Sequence, residues 1–229
     1  MATIENNLQA VKKRIASACA GAGRSADEVL LVAVTKTFPP EAVREAARAG
    51  QRDFGENYVQ EALTKIESLA DSRLVWHFIG PIQSNKTRAI AEAFQWAHSV
   101  DREKVAVRLS EARPAHLPAL QVCIEVNVSG EQTKSGVAPE ALPALARTVH
   151  ALPRLRLRGL MAIPEPTADL ELARRRFRLV RELRDELNRS GLALDTLSMG
   201  MSADLEAAIA EGATMVRVGT AIFGARKAA

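Results

Sequence analysis

Residues 30–40 read LLVAVTKTFPP. Leu30 to Thr35 form a short, unbroken, mostly apolar run rich in β-branched residues, which predicts a strand buried on both faces. The run ends at Lys36, and Pro39 and Pro40 follow. A buried ammonium is costly unless it is paired or neutralised. Lys36 therefore either reaches solvent or occupies a pocket that uses its amine, and the chain around it decides which.

Before this stretch, Ile4, Leu8, Val11 and Ile15 make the apolar stripe of a helix over 3–20, which Thr3 caps and Gly21 and Gly23 stop. The predicted strand spans 29–35, and a helix over 40–49 follows, with Pro40 in its first turn and Gly50 as its C-cap. The alternation then continues with strand 52–55 and helix 57–70, strand 73–79 and helix 85–93, and strand 95–100 and helix 101–112. It goes on with strand 119–128 and helix 139–151, strand 155–161 and helix 168–190, and strand 196–199 and helix 203–211. Strand 214–218 and a short turn of helix at 221–225 complete it. No linker or shift of composition divides these units. Strands alternating with helices pair in parallel, and eight such units predict one (β/α)8 barrel domain over 1–229 with an extra N-terminal helix. A doubly wound open sheet is the alternative.

The bulk properties narrow the function. Apolar residues are 47% and charged residues 25% of the 229, the composition of a soluble globular protein. Aromatics at 4% leave no stacking surface for single-stranded nucleic acid. A net charge of +4 is no nucleic-acid signature, and the basic run 173–189 carries its arginines on the solvent side of an amphipathic helix. Cys19 and Cys123 show no metal or redox spacing, nor do His77, His98, His116 and His150. The N-terminus lacks a signal core, and no run of ~18 apolar residues occurs. These features predict a cytoplasmic protein that binds neither metal, membrane nor nucleic acid.

In a barrel, sites form at the C-terminal ends of the strands, which is where Lys36 falls. Polar residues and glycines gather at the other strand ends: FGENYVQE after the second strand, Asn127 after the fifth, SMGMS at 198–202 and VGTAIFG at 218–224. Ser202 is a natural N-cap, and Gly219 and Thr220 precede the last helical turn. Free N–H groups at helix starts bind phosphate, and the loops after strands seven and eight are a recurrent phosphate site. A lysine amine opposite a phosphate site suits a Schiff base with a phosphorylated aldehyde, either pyridoxal 5′-phosphate (PLP) or a sugar-phosphate aldolase substrate.

The motifs AVTKT, FGENYVQE, WHFIGPIQSNK, KSG, LRGLMAIP, LSMGMSADLEAAIAEG and MVRVGTAIFGAR, in this order, resemble the pyridoxal phosphate homeostasis proteins (the YggS or PROSC family) from about residue 4 to 226. The resemblance implies a barrel like that of alanine racemase (PLP fold type III), without the racemase C-terminal β-domain. It implies PLP on Lys36 as an internal aldimine, Ser202, Gly219 and Thr220 on the phosphate, and Arg217 facing the pyridine nitrogen. Asn57, His77 and Met199 lie in family motifs near the cofactor. It further implies a role in PLP supply and in amino-acid and keto-acid balance, with no settled catalytic activity. PLP-dependent apo-enzymes or PLP-synthesising enzymes are the implied partners, and a monomer is expected. An amino-acid racemase of unknown substrate is the competing reading. Tyr58, the only tyrosine, is expected to pack half-buried beside the pocket.

Overall fold

A computed structural model describes residues 3–69, 73–129 and 135–225. Its strands are β1 (Leu30–Val34), β2 (Asp53–Glu56), β3 (Val75–Phe78), β4 (Trp96–Val100), β5 (Leu120–Glu125), β6 (Leu155–Met161), β7 (Thr196–Ser198) and β8 (Met215–Val218). They pair in parallel in chain order, and β1 pairs β8 with Val32 opposite Arg217, so the sheet closes into a barrel. The open-sheet alternative is thereby overturned. The helices are α1 (Ile4–Gly21), α2 (Pro40–Arg48), α3 (Val59–Ser68), α4 (Thr87–Ala93), α5 (Glu103–Ala112), α6 (Leu142–Ala151), α7 (Leu170–Arg189), α8 (Leu205–Ala210) and α9 (Thr220–Phe223).

Each strand's period of two divides its side chains between the barrel bore and the helix layer. In β3, Trp76 and Phe78 join the main core under the helices, while Val75 packs on a separate cluster of Trp96, Cys123, Met161 and Met215 in the bore. Helix α1 buries Leu8, Val11, Ile15 and Cys19 and lies across α8 and α9. There Asn7 Nδ2 donates to Ile222 O at 2.9 Å, and Arg14 Nη2 to Ser202 O at 3.2 Å.

Element ends differ from the predicted ones where a loop takes over the hydrogen bonding. The strand expected over 119–128 stops at Glu125, because the Asn127 N–H donates to Val137 O and the Val137 N–H to Glu125 O. Ser202 does not cap α8; Asp204 occupies the N-cap, and its carboxylate accepts from Met201 N–H at 2.6 Å. The basic face of α7 is engaged by protein, since Arg174 and Arg178 both pair with the buried Glu211 at 2.9 Å. Both cysteines are buried and free. Among the described residues no metal-ligating cluster occurs, and no helix is long and apolar enough to cross a membrane. Lys134, in the KSG motif, lies outside the described residues.

Candidate functional site

A cleft of about 230 Å³ opens at the C-terminal ends of β1, β7 and β8. It falls below the ~300–1,000 Å³ of drug-sized sites, which suits one small substituted ring and not a dinucleotide. Its apolar wall includes Val34, Phe38, Ile79 and Ile163. Lys36, Asn57, Ser202, Arg217, Gly219 and Thr220 supply its polar side.

Lys36 lines the cleft on backbone held from both sides. The buried Thr35 donates its hydroxyl to Glu56 Oε1 at 2.6 Å. Thr37 takes a positive φ of 69°, and its N–H donates to Glu61 Oε1 at 2.7 Å. That conformation costs a β-branched residue ~1–3 kcal/mol, so α3 must hold it. Lys65, 2% exposed, ties the parts together. Its Nζ donates to Thr35 O and Glu56 Oε1 at 2.7 Å each, and to Glu61 Oε1 at 2.5 Å. Burial pushes the Glu56 carboxyl above its usual range, and the Lys65 charge opposes that rise.

Asn57 follows β2 and presses against Gly80, where any Cβ would fall 2.5 Å from Asn57 O. The Asn57 Oδ1 is buried and has no hydrogen-bond partner among the described residues. A buried acceptor with no donor is rare, and at the wall of a cleft it calls for a ligand's donor.

The turn after β7 needs Gly200. Its φ is 95°, and a Cβ there would meet Ala208 Cβ at 2.6 Å. The pinned turn presents Ser202 and Ala203 to the cleft, and Gly219, N-cap of α9, presents itself and Thr220 beside them. The first N–H groups of a helix have no acceptor within it. The Gly219–Thr220 turn is such a helix start, and the Ser202–Ala203 turn lies beside it in the cleft wall.

Arg217 is 3% exposed. Its Nη1 donates to Ser198 O at 2.6 Å and to Ser198 Oγ at 2.8 Å, and its Nη2 to Ala162 O at 3.0 Å. Burial lowers its pKa to about 10, against the raising influence of Glu125 and Asp204, so it stays charged at neutral pH.

Six of the eight expected site residues thus meet in one cleft. His77 and Met199 do not. Ile79, just past β3, reaches the cleft, while His77, two residues earlier, is buried deeper in the bore between Asp53 and His98. Met199 packs in the main core, and Met201 lines the cleft instead. Tyr58 is 55% exposed, not half-buried, and does not line the cleft. Lys65 was not among the expected site residues, although its spacing from Val59 and Ala62 places it on the buried stripe of α3.

A closed (β/α)8 barrel with a cleft lined by a lysine after its first strand and by polar turns after its last two defines the class. The sequence model of the family described as "Alanine racemase, N-terminal domain" matches residues 2–227. A pyridoxal phosphate homeostasis protein of Pseudomonas aeruginosa is 66% identical over 226 residues, covering 99% of this chain and 97% of the relative. The structure of PipY of Synechococcus elongatus without PLP superposes with a TM-score of 0.87 at 37% identity, covering 97% of this chain and 100% of that one. PipY with PLP bound superposes at 0.82 and 39% identity, covering 92% and 100%. The chain belongs to the pyridoxal phosphate homeostasis family of racemase-like barrels.

Proposed function

We propose that this protein binds PLP in the cleft and serves intracellular PLP homeostasis as a carrier or buffer, with no dedicated turnover of its own. PLP, when bound, supplies an aldehyde that condenses reversibly with a primary amine, and Lys36 is the residue whose amine takes that role. The turns at Ser202 and at Gly219–Thr220 take the phosphate. Arg217 takes the pyridine nitrogen, as the resemblance implies. A guanidinium only donates hydrogen bonds, so it leaves that nitrogen unprotonated and the ring a weak electron sink.

The observation that carries the reading is one cleft joining Lys36, the partnerless Asn57 Oδ1, the turns at Ser202–Ala203 and Gly219–Thr220, and Arg217. The carrier role is favoured over a racemase because a two-base racemase needs proton-handling groups on both faces of the reacting carbon. Among the described lining residues only Lys36 and Arg217 carry ionisable side chains. Residues 1–229 are read as one domain, acting as a cytoplasmic monomer that exchanges PLP with apo-enzymes or PLP-synthesising enzymes.

The test is to mix loaded protein with a PLP-dependent apo-enzyme in the presence of a scavenger of free PLP. The expected result is recovery of apo-enzyme activity faster than PLP leaves the loaded protein alone. Recovery limited to that spontaneous rate would refute direct transfer. Exchange of an amino acid's α-proton with inversion in deuterated water, at ~1–10³ s⁻¹, would instead establish the racemase.

A further inference from the structure

We propose that a directed line of hydrogen bonds through the barrel bore, Asp53–His77–His98–Ser198, positions the Arg217 guanidinium, with each hydrogen pointing away from the cleft. The inference deepens the PLP reading and rests on it only for the effect on cofactor affinity.

The contacts run without a break. Arg217 Nη1 lies 2.8 Å from Ser198 Oγ, and Ser198 Oγ lies 2.8 Å from His98 Nδ1. His98 Nε2 lies 2.9 Å from His77 Nδ1, and His77 Nε2 lies 3.1 Å from Asp53 Oδ1. Five strands contribute one residue each. Only Asp53, first in β2, has a partly exposed side chain, at 18%, while both rings are fully buried.

Arg217 can only donate, so Ser198 Oγ accepts from it and has one hydrogen left. Given to His98, that hydrogen requires an unprotonated Nδ1. A neutral His98 then carries its proton on Nε2 and donates to His77 Nδ1. His77 in turn carries its proton on Nε2 and donates to the Asp53 carboxylate. With both rings neutral and Asp53 ionised, this is the one arrangement in which every member is satisfied. Burial keeps the rings neutral: it lowers the His77 pKa, against the raising influence of Asp53, and drives that of His98 well below the usual value, aided there by the Arg217 charge. The reverse direction needs a buried imidazolium or a protonated Asp53, and it deprives the Ser198 hydrogen of its His98 acceptor. Trp96 covers the flank, stacked on His77 at 5.5 Å between ring centroids and 5.7 Å from His98.

The line makes Ser198 Oγ a full acceptor for Arg217, because its hydrogen is committed elsewhere. Hydrogen bonds in such chains polarise one another. Asp53, His77, His98 and Ser198 are thus positioning residues. None of them lines the cleft, and they act on the cofactor through Arg217.

The test begins on protein carrying no PLP, with long-range ¹H–¹⁵N correlation of the histidine side chains. The expected result is that His77 and His98 both appear as neutral Nε2–H tautomers and stay so from about pH 8 to about pH 5.5, across the range where an ordinary histidine charges. An Nδ1–H tautomer or an imidazolium at either ring would overturn the proposal. In the same protein, Ser198→Ala should shift and broaden the Arg217 Nη1–H resonance, which loses Ser198 Oγ and keeps only backbone acceptors, and Ser198→Thr should restore it. Unchanged Arg217 resonances in Ser198→Ala would also overturn it. In loaded protein, Ser198→Ala should weaken PLP roughly tenfold, the effect of one charge-assisted hydrogen bond, and unchanged affinity would remove the positioning role. A wild-type protein that failed to take PLP would refute the cleft reading alone, because the tautomer and Arg217 measurements need no cofactor.

Discussion

Replacing Lys65 with methionine keeps the length of the side chain and removes its charge. The structure sets the cost. Lys65 Nζ has three acceptors within 2.7 Å at 2% exposure, and Glu56 beside it is fully buried. Without Lys65, the Glu56 carboxylate keeps only the Thr35 hydroxyl as a side-chain donor. Breaking a buried ion pair from one side costs ~3–5 kcal/mol. With a urea slope of ~1–3 kcal/mol/M, the unfolding midpoint should fall by about 1–5 M at neutral pH. The loss should shrink in acid. The Glu56 pKa is already raised by burial and rises further without Lys65. A raised carboxyl pKa contributes stability below its unfolded value and loses that stability as pH rises through the folded value. The variant should therefore be least impaired near pH ~5 and most impaired above neutrality. Lys65→Met combined with Glu56→Gln should cost at least ~1 kcal/mol less than the two single changes summed, the size of coupling expected for contacting groups. A midpoint shift below about 0.3 M, or strict additivity, would refute the reasoning.

Borohydride reduction of loaded protein followed by peptide mapping should place the pyridoxyl group on Lys36, and Lys36→Ala should lose the cofactor's visible absorbance while its circular dichroism stays native; modification confined to Lys86 would contradict the assignment. Ser202→Ala and Thr220→Val should each weaken PLP by roughly ten- to hundredfold, since a charge-assisted hydrogen bond contributes ~1.5–3 kcal/mol. Pyridoxal without its phosphate should bind far worse than PLP in a fluorescence titration, and equal affinity would dismiss the proposed phosphate site. Burial and the nearby Asp101 push the Glu125 carboxyl up to about 7, with Arg217 opposing. Its folded state therefore holds a proton that the unfolded chain releases at lower pH, and stability should decline as pH rises through that value. Glu125→Gln should flatten this part of the urea-midpoint profile, and an unaltered slope would exclude Glu125 as its source.

The sequence alone determined the number, order and type of the elements. A strand period of two and a helix period of 3.6 are local properties, and the glycines and prolines between runs mark their ends. That placed Lys36 after the first strand and Ser202, Arg217, Gly219 and Thr220 around the last two, so the main parts of the cleft were legible once the units were counted as a barrel. The tertiary structure decided which way each side chain faces. A barrel strand is buried on both sides, so VWHF in β3 or SM at 198–199 carries no polar face to set its phase. Closure of the sheet sent His77 into the bore short of the cleft, Met199 into the helix layer and Met201 to the cleft. Closure also joined residues that are 24, 21, 100 and 19 positions apart into the line from Asp53 to Arg217. Lys65 follows the same physics, because a lysine on an apolar stripe reads as a surface residue until Glu56 and Glu61 are brought to it. Periodicity is written locally, whereas the partners that make a buried charge or ring tolerable are supplied by strands remote in the chain.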